Sequence, residues 1–260
     1  FLAPKKKNWE AQLYAIRENR SKPRLDDKCL TSWNAIMLKG FAEAYKASGN
    51  SRYADIALQN GQFIIQKIWS PEGHLFRTYK NGIATINAYL EDYAHVIAAF
   101  ISLYEITVNE QWLTYAKQLT DYAFDHFYDK EAEFFSFTSQ QDEALVIPHF
   151  EVEDNVIPAA NSVMATNLFR LSIYFNHSYY EKVAQQMLQH ILPTIDYPSA
   201  FSNWLNLLLH FSESQNELAV CSAQASDYLK QLNSWYTPNL IVAGTDKASE
   251  LPFLANRFIA

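Results

Sequence analysis

Apolar side chains recur at helical spacing through Ile36, Met37, Gly40, Phe41, Ala44 and Tyr45, which marks one face of a helix. Ser48-Gly49-Asn50-Ser51 breaks that pattern with residues suited to a turn. A second helical pattern runs from Arg52 to Trp69 through Tyr53, Ile56, Ala57, Phe63, Ile64 and Ile68, and Pro71-Glu72-Gly73 stops it. From Leu75 to Ile86 the pattern alternates and contains Gly82, which predicts a β-hairpin or extended loop.

The same layout then returns. Asp92-Tyr93-Ala94-His95-Val96 lies 59 residues after Trp33-Asn34-Ala35-Ile36-Met37. Without a gap, Phe41 meets Phe100, Tyr45 meets Tyr104, Asn50 meets Asn109, Tyr53 meets Trp112, Ala57 meets Ala116 and Trp69 meets Tyr128. A weaker third copy puts Asn176, Tyr180 and Ala184 in these roles with one inserted residue. Each copy reads as two helices. Copies of 59 to 67 residues are long for open solenoids built on units of ~34 residues. They suit an all-α fold, an (α/α) hairpin toroid whose first helices form the inner ring. A ring of six such hairpins needs over roughly 300 residues, so the ring here is incomplete, at three and a half hairpins.

Beyond the array, Leu218-Ala219-Val220-Cys221 and Leu240-Ile241-Val242-Ala243 read as strands around a helical stretch from Ser226 to Tyr236. The expected division is a toroid portion over residues 1–212 and a small β-α-β excursion over 213–260 packed on it.

Composition narrows the function classes. The chain has 260 residues, 49% hydrophobic and 15% aromatic, enough for a large core. A net charge of -7 with no Lys/Arg stripe argues against a nucleic-acid surface. Lys5-Lys6-Lys7 reads as a solvated face. No apolar stretch approaches the ~20 residues that span a bilayer. The chain opens on Phe1 with no signal-peptide pattern, so its start reads as a processing boundary. Cys29 and Cys221 lie far apart, and two unpaired thiols fit a reducing, cytoplasmic compartment. With six glycines there is no phosphate loop, and His74, His126, His149, His177, His190 and His210 show no metal-ligand spacing. Neither a metal nor a cofactor is expected.

The repeat selects candidate chemistry. Trp33-Asn34 and Asp92-Tyr93 occupy equivalent first-turn positions, and Asn161-Ser162 opens the third copy. In a toroid these helix starts converge on one mouth of the cavity, where the helix dipoles favour negative or polar groups. Arg24, Asp26 and Asp27 precede the first start, Glu91 and Asp92 stand at the second, and Glu151, Glu153 and Asp154 precede the third. Glycosidic chemistry uses two carboxylates ~5 Å apart for retention or ~6.5–9.5 Å apart for inversion. Asp27 and Asp92 are the main acid/base candidates, with Glu91 and Asp26 beside them. Trp33, Tyr89 and Tyr93 offer faces for sugar stacking, while Arg24, Asn34, His95 and Asn161 orient hydroxyls. The plainer reading makes the acids helix caps and first-turn charges. His95 aligns with the core position Ile36, so it also reads as a satisfied core histidine.

Three segments carry a family resemblance: Arg24-Leu25-Asp26-Asp27-Lys28-Cys29-Leu30-Thr31-Ser32-Trp33-Asn34-Ala35, Tyr89-Leu90-Glu91-Asp92-Tyr93-Ala94, and Ile157-Pro158-Ala159-Ala160-Asn161-Ser162-Val163. In order and spacing the chain resembles the spermatogenesis-associated thioredoxin-like proteins and their bacterial relatives. The resemblance implies a thioredoxin-like domain, absent from this chain, ahead of a six-hairpin α/α domain similar to N-acylglucosamine 2-epimerases and related glycosidases. It also implies that an epimerase of this fold would use histidine bases, for which His95 is the well-placed residue. The chain departs from the pattern at Ala159-Ala160, where the family has Ser-Gly, and at Glu131-Ala132-Glu133, where a glycine-rich turn is expected. Both changes weaken a close backbone approach to a ligand at those loops. The function expected is thus a carbohydrate-active domain, hydrolase or epimerase-like, with a carboxylate-lined cavity. The alternative is a non-catalytic glycan- or protein-binding scaffold coupled to the thioredoxin-like domain.

Overall fold

The repeat forms as three antiparallel helical hairpins. The structure, a computed structural model, describes residues 2–143, 147–213, 215–233, 235 and 237–257. A solvated helix α1 (Leu2–Glu18) comes first, with Lys5, Lys6 and Lys7 exposed. The hairpins follow as α2 (Thr31–Ser48) with α3 (Ser51–Phe63), α4 (Leu90–Thr107) with α5 (Gln111–Phe127), and α6 (Ala160–Phe175) with α7 (Ser178–Ile191). A π-helical turn over Ile64–Ile68 extends α3. Helix α8 (Ser202–Ser212) opens a further unit against α6 and α7.

The first helices lie side by side in the order α2, α4, α6, α8, and α2, α4 and α6 each pack on their own second helix. They run in the same direction. At one end the Asp92 carboxylate of α4 accepts the Ser32 N–H of α2 at 2.9 Å. At the other, Lys46 of α2 pairs with Glu105 of α4 at 2.7 Å, and Glu105 also pairs with Arg170 of α6. The expected convergence of the helix starts at one mouth is therefore present.

Periodicity extends to the helix ends. The first helix of each of the three hairpins stops on a left-handed residue: Gly49 at φ 67°, Val108 at φ 51° and Asn176 at φ 49°. The next side chain then caps the second helix. Asn50 Oδ1 accepts the Arg52 N–H, Asn109 Oδ1 accepts the Gln111 N–H, and His177 Nδ1 accepts the Tyr180 N–H. This corrects the register of the third copy. Asn176 plays the part of Gly49 and His177 that of Asn50, so the residue that the sequence alignment inserted between Asn176 and Tyr180 is not there. Ala57, Ala116 and Ala184 are all fully buried, as the alignment requires.

The hairpin after the first copy pairs β2 (Phe76–Lys80) with β3 (Ile83–Asn87) in the register Lys80↔Ile83, and β1 (Cys29–Leu30) adds a third strand beside β2. Asn81 at φ 53° and Gly82 at φ 85° supply the two positive-φ residues of its tight turn. Among the described residues of the second copy, β4 (Tyr128–Asp129) pairs with β5 (Phe134–Phe135).

Past α8, β6 (Asn216–Cys221) and β7 (Leu240–Thr245) pair in parallel across α9 (Ala225–Asn233). The predicted helix end at Tyr236 lies outside the described residues, as does Phe1. Tyr104 holds this unit to α4, its hydroxyl accepting the Gly244 N–H at 3.1 Å and donating to the Gly244 carbonyl at 3.2 Å. A Cβ on Gly244 would meet Val108 Cγ1 at 2.7 Å and Leu229 Cδ1 at 2.8 Å, so only glycine allows this approach.

Helix α4 is the axis of the core. Every residue from Leu90 to Tyr104 is buried, as its near-continuous apolar sequence demands. Among the described residues α2 packs on one inner helix, α4, and Trp33 and Met37 are exposed on it. The repeat partners Phe41 and Phe100 therefore differ. Phe100 is fully buried against Trp69 and Trp112, whereas Phe41 is half-buried and stacked on Tyr53. Phe100→Ala should cost about 3–5 kcal/mol in denaturant melts, and Phe41→Ala clearly less, because a half-buried ring leaves a smaller cavity. Equal losses would show that the burial difference is not real.

Candidate functional site

At the mouth where the helices start, the carboxylates are already engaged. Asp92 is fully buried. Its Oδ1 accepts the Ser32 N–H at 2.9 Å, and its Oδ2 accepts the Tyr89 N–H at 3.0 Å and the Arg77 guanidinium at 3.1 Å. Burial pushes its pKa up to about 6, against the opposing pull of Arg77 and the two backbone donors. Glu91 also faces Arg77, at 3.6 Å, and Arg77 lies over the Tyr89 ring at 4.6 Å from its centre. Asp27 is half-exposed and paired with Lys80 of β2, which holds its carboxyl below the usual carboxylate range. Asp26 pairs with Lys28 at 3.3 Å, and Arg24 is exposed.

The other mouth candidates divide the same way. The Tyr93 ring is buried and stacked on Tyr122, with its hydroxyl accepting the Leu75 N–H at 2.9 Å, so it presents no face to a sugar. Asn34 donates to the Leu30 carbonyl at 2.8 Å. Asn161 is buried and bonded to both backbone groups of Phe135 and to the Glu151 carbonyl, tying the β4–β5 turn to the start of α6. Trp33 stands exposed on α2. Asp27 and Asp92 therefore occupy different surroundings, one at the surface and one sealed in the core, rather than facing each other across solvent.

One predicted residue stands apart. His95, one turn after Glu91 on α4, is 5% exposed and lines a cavity of about 300 Å³ on the inner faces of α2, α4 and α6. Its ring bonds to the Pro158 carbonyl, which leaves Nε2 without a protein partner. Burial holds the imidazole down at about 4, against a smaller upward pull from Glu91. The ring is thus neutral near pH 7, protonated toward Pro158, with a lone pair at Nε2. Around it stand Lys39 and Glu43 from α2, Asn167 and Arg170 from α6, and Asn203 from α8. Asn167 Nδ2 donates to the Ala94 carbonyl at 2.8 Å, fixing α6 against the turn that carries His95. Lys39 is open to solvent on one flank. Crowding and then the nearby Arg170 guanidinium hold its ammonium below the usual lysine value.

A second cavity, of about 400 Å³, lies at the far ends of these helices beneath α9, against Lys46, Glu105 and Trp235. Its charges are spent on one another in the Lys46–Glu105–Arg170 cluster, so the chemistry favours the His95 cavity. Among the described residues no group of three or more His, Cys, Asp or Glu side chains gathers to hold a metal ion, and no helix is long and apolar enough to cross a membrane.

A family model described as N-acylglucosamine 2-epimerase (GlcNAc 2-epimerase) matches residues 2–175. The chain belongs to the N-acylglucosamine 2-epimerase family. Spermatogenesis-associated protein 20 of Homo sapiens is 28% identical to it over 265 residues, covering 94% of this chain and 34% of that protein. The chain thus spans about a third of the length of the curated relatives it matches. Among solved structures, a GH76 alpha-mannanase from Bacteroides thetaiotaomicron superposes with a TM-score of 0.59 at 14% identity, covering 90% of this chain and 66% of that one. A cellobiose 2-epimerase from Bacillus thermoamylovorans gives 0.52 at 16% identity, covering 64% and 45%. At such identities the likeness is one of fold, the six-hairpin α/α toroid shared by sugar epimerases and glycosidases.

In this N-acylglucosamine 2-epimerase family member, sequence reasoning missed Lys39, Glu43, Asn167, Arg170 and the clamp Arg77. The signal was a polar stripe on a helix that is otherwise apolar all round: Glu91, His95, Ser102 and Glu105 share one face of α4. Lys39 and Glu43 repeat that spacing on α2.

Two expectations follow from the geometry. Asn at position 92 keeps one acceptor but presents an NH2 group to donors and leaves Arg77 without its charge, so Asp92→Asn should cost about 1–3 kcal/mol of stability. An unchanged urea midpoint would mean that the three contacts carry no weight. For His95, the folded pKa of about 4 lies below the unfolded value of 6.5. Between those values the unfolded chain binds a proton that the native state refuses, so stability falls as pH drops through that window. Asp92, with its raised pKa, slopes the opposite way, so the informative quantity is a difference. The stability advantage of wild type over His95→Asn should shrink by up to about 3 kcal/mol from pH 6.5 to pH 4. A gap independent of pH would show that the ring is not buried neutral.

Proposed function

We propose that this chain forms part of a carbohydrate-active toroid in which the His95 cavity receives a single sugar unit. The cavity volume of about 300 Å³ sits at the small end of ligand sites, which span roughly 300–1,000 Å³. The observation that carries the reading is the Nε2 lone pair of His95, buried, neutral and unpartnered. Such a nitrogen accepts a proton from a hydroxyl or from a carbon beside a carbonyl. This favours epimerase- or isomerase-type proton transfer over glycoside hydrolysis, because Asp27 and Asp92 are taken up by Lys80, Arg77 and backbone donors. The same consumption of carboxylates supports a second reading, a non-catalytic sugar- or protein-binding module working beside the thioredoxin-like domain that the family resemblance implies. A cytoplasmic location, consistent with the free thiols Cys29 and Cys221, belongs to the proposal.

Incubation with free aldoses, ketoses and N-acylated amino sugars in D2O tests the reading by NMR. Catalysis predicts exchange of the proton on the carbon beside the carbonyl. His95→Asn, which can keep the bond to Pro158 but lacks Nε2, should slow it about 10²–10⁴-fold. Binding without exchange in wild type would select the non-catalytic module. Cleavage of glycosides that survives His95→Asn would return the chemistry to the carboxylates.

A further inference from the structure

The charges around the His95 cavity are unbalanced. Glu43 is the carboxylate that lines it, and Lys46 pairs with Glu43 at 2.8 Å. Arg170 is paired with Glu105. Lys39 lines the same cavity from α2 and makes no ion pair among the described residues. Along this inner face three cations, Lys39, Lys46 and Arg170, stand against two carboxylates, Glu43 and Glu105, in a chain whose net charge is -7. A locally positive wall in an acidic protein favours a negative ligand.

A second observation is independent of that count. His95 Nε2, on the neighbouring helix and 5% exposed, is an acceptor without a partner in the same cavity. The cavity thus offers, on adjacent walls, a lysine donor without an ion pair and a ring nitrogen acceptor without a partner. An anion alone satisfies Lys39 but meets a lone pair at His95. A neutral sugar satisfies His95 but leaves the ammonium to water. One molecule meets both needs if it carries hydroxyls on a small ring or open chain and an anionic oxygen group at one end.

Resting on the reading of this cavity as a sugar site, we propose that its ligand is an acidic monosaccharide, with the anionic group on Lys39 and a hydroxyl or carbonyl-adjacent carbon at His95. The anionic group is a carboxylate, as in a uronic acid, or a phosphate, as in a sugar phosphate. The pairing with Lys39 selects the ligand, while His95 reads the sugar.

Calorimetric titration of the full chain with D-glucuronate, D-glucose 6-phosphate, D-glucose and inorganic phosphate tests this. At least one of the two charged sugars should bind about tenfold or more tightly than D-glucose and than inorganic phosphate, the increment of a charge-assisted hydrogen bond. Which of the two wins identifies the anionic group. Lys39→Met should bring the charged and neutral affinities together, and Lys39→Arg should keep them apart. Melting curves of both variants should match wild type, because Lys39 makes no ion pair. Equal affinity for D-glucose and both charged sugars, or a gap untouched by Lys39→Met, would overturn the acidic ligand and leave the sugar site standing. Inorganic phosphate binding as tightly as D-glucose 6-phosphate would overturn it as well, since the sugar would then contribute nothing. No binding by any of the three sugars would remove the sugar-site reading together with the inference.

Discussion

One buried carboxylate organises the mouth of this toroid. Asp92 accepts a backbone N–H from α2, another from the entry to its own helix and a guanidinium proton from β2. A charge with no exposure to water is tolerated only where hydrogen bonds and an opposite charge replace its hydration. Those replacements come from three segments far apart in the chain, so the carboxylate is satisfied only when α2, α4 and the β-hairpin are docked together. The register of the inner helices depends on it.

From that anchor the rest of the packing follows. With the starts of α2 and α4 aligned, their far ends bring Lys46 to Glu105, and Glu105 reaches Arg170 on α6. Helix α4 is left without a solvent face, and its outer side takes the aromatic cluster of Trp69, Phe100 and Trp112. At its final turn, Tyr104 clasps Gly244 and secures the small parallel β-α-β unit where no side chain fits. Polar groups on α4 survive where they face a cavity or find a partner. His95 is the exception that meets neither full solvation nor full bonding. A buried nitrogen whose lone pair accepts no hydrogen bond costs stability, and such costs concentrate where a ligand completes the bonding.

The helix mouth and the cavity divide the labour. Carboxylates near helix N-termini gain from the dipole whether or not they do chemistry, so their presence at Asp26, Asp27, Glu91 and Asp92 says little about catalysis. What distinguishes the cavity is its lack of closure: a lysine without an ion pair on α2 and an imidazole with one unpartnered nitrogen on α4, both lining the space between inner helices.

The sequence by itself determined the hairpins. The 59-residue echo from Trp33 to Asp92 placed the helices, the turn between them and the β-hairpin, because helical periodicity and turn residues act over a few neighbours and leave a local record. It also predicted the β-α-β excursion, and the three motif segments carried the family likeness. Where two repeats look alike in sequence, only the tertiary structure decided their difference. Phe41 and Phe100 are equivalent letters, but α2 has one inner neighbour and α4 has two. The third copy read as carrying an inserted residue because Asn176 was matched to Asn50, and whether Asn176 or His177 caps the helix depended on which backbone became left-handed. The site was legible only as a set of polar positions. Whether a carboxylate is free or bound depends on partners such as Lys80 and Arg77, which a strand pairing brings in from elsewhere. Tyr93 and His95 sit two residues apart on one helix, and the winding of that helix sends the first into the aromatic core and the second into the cavity.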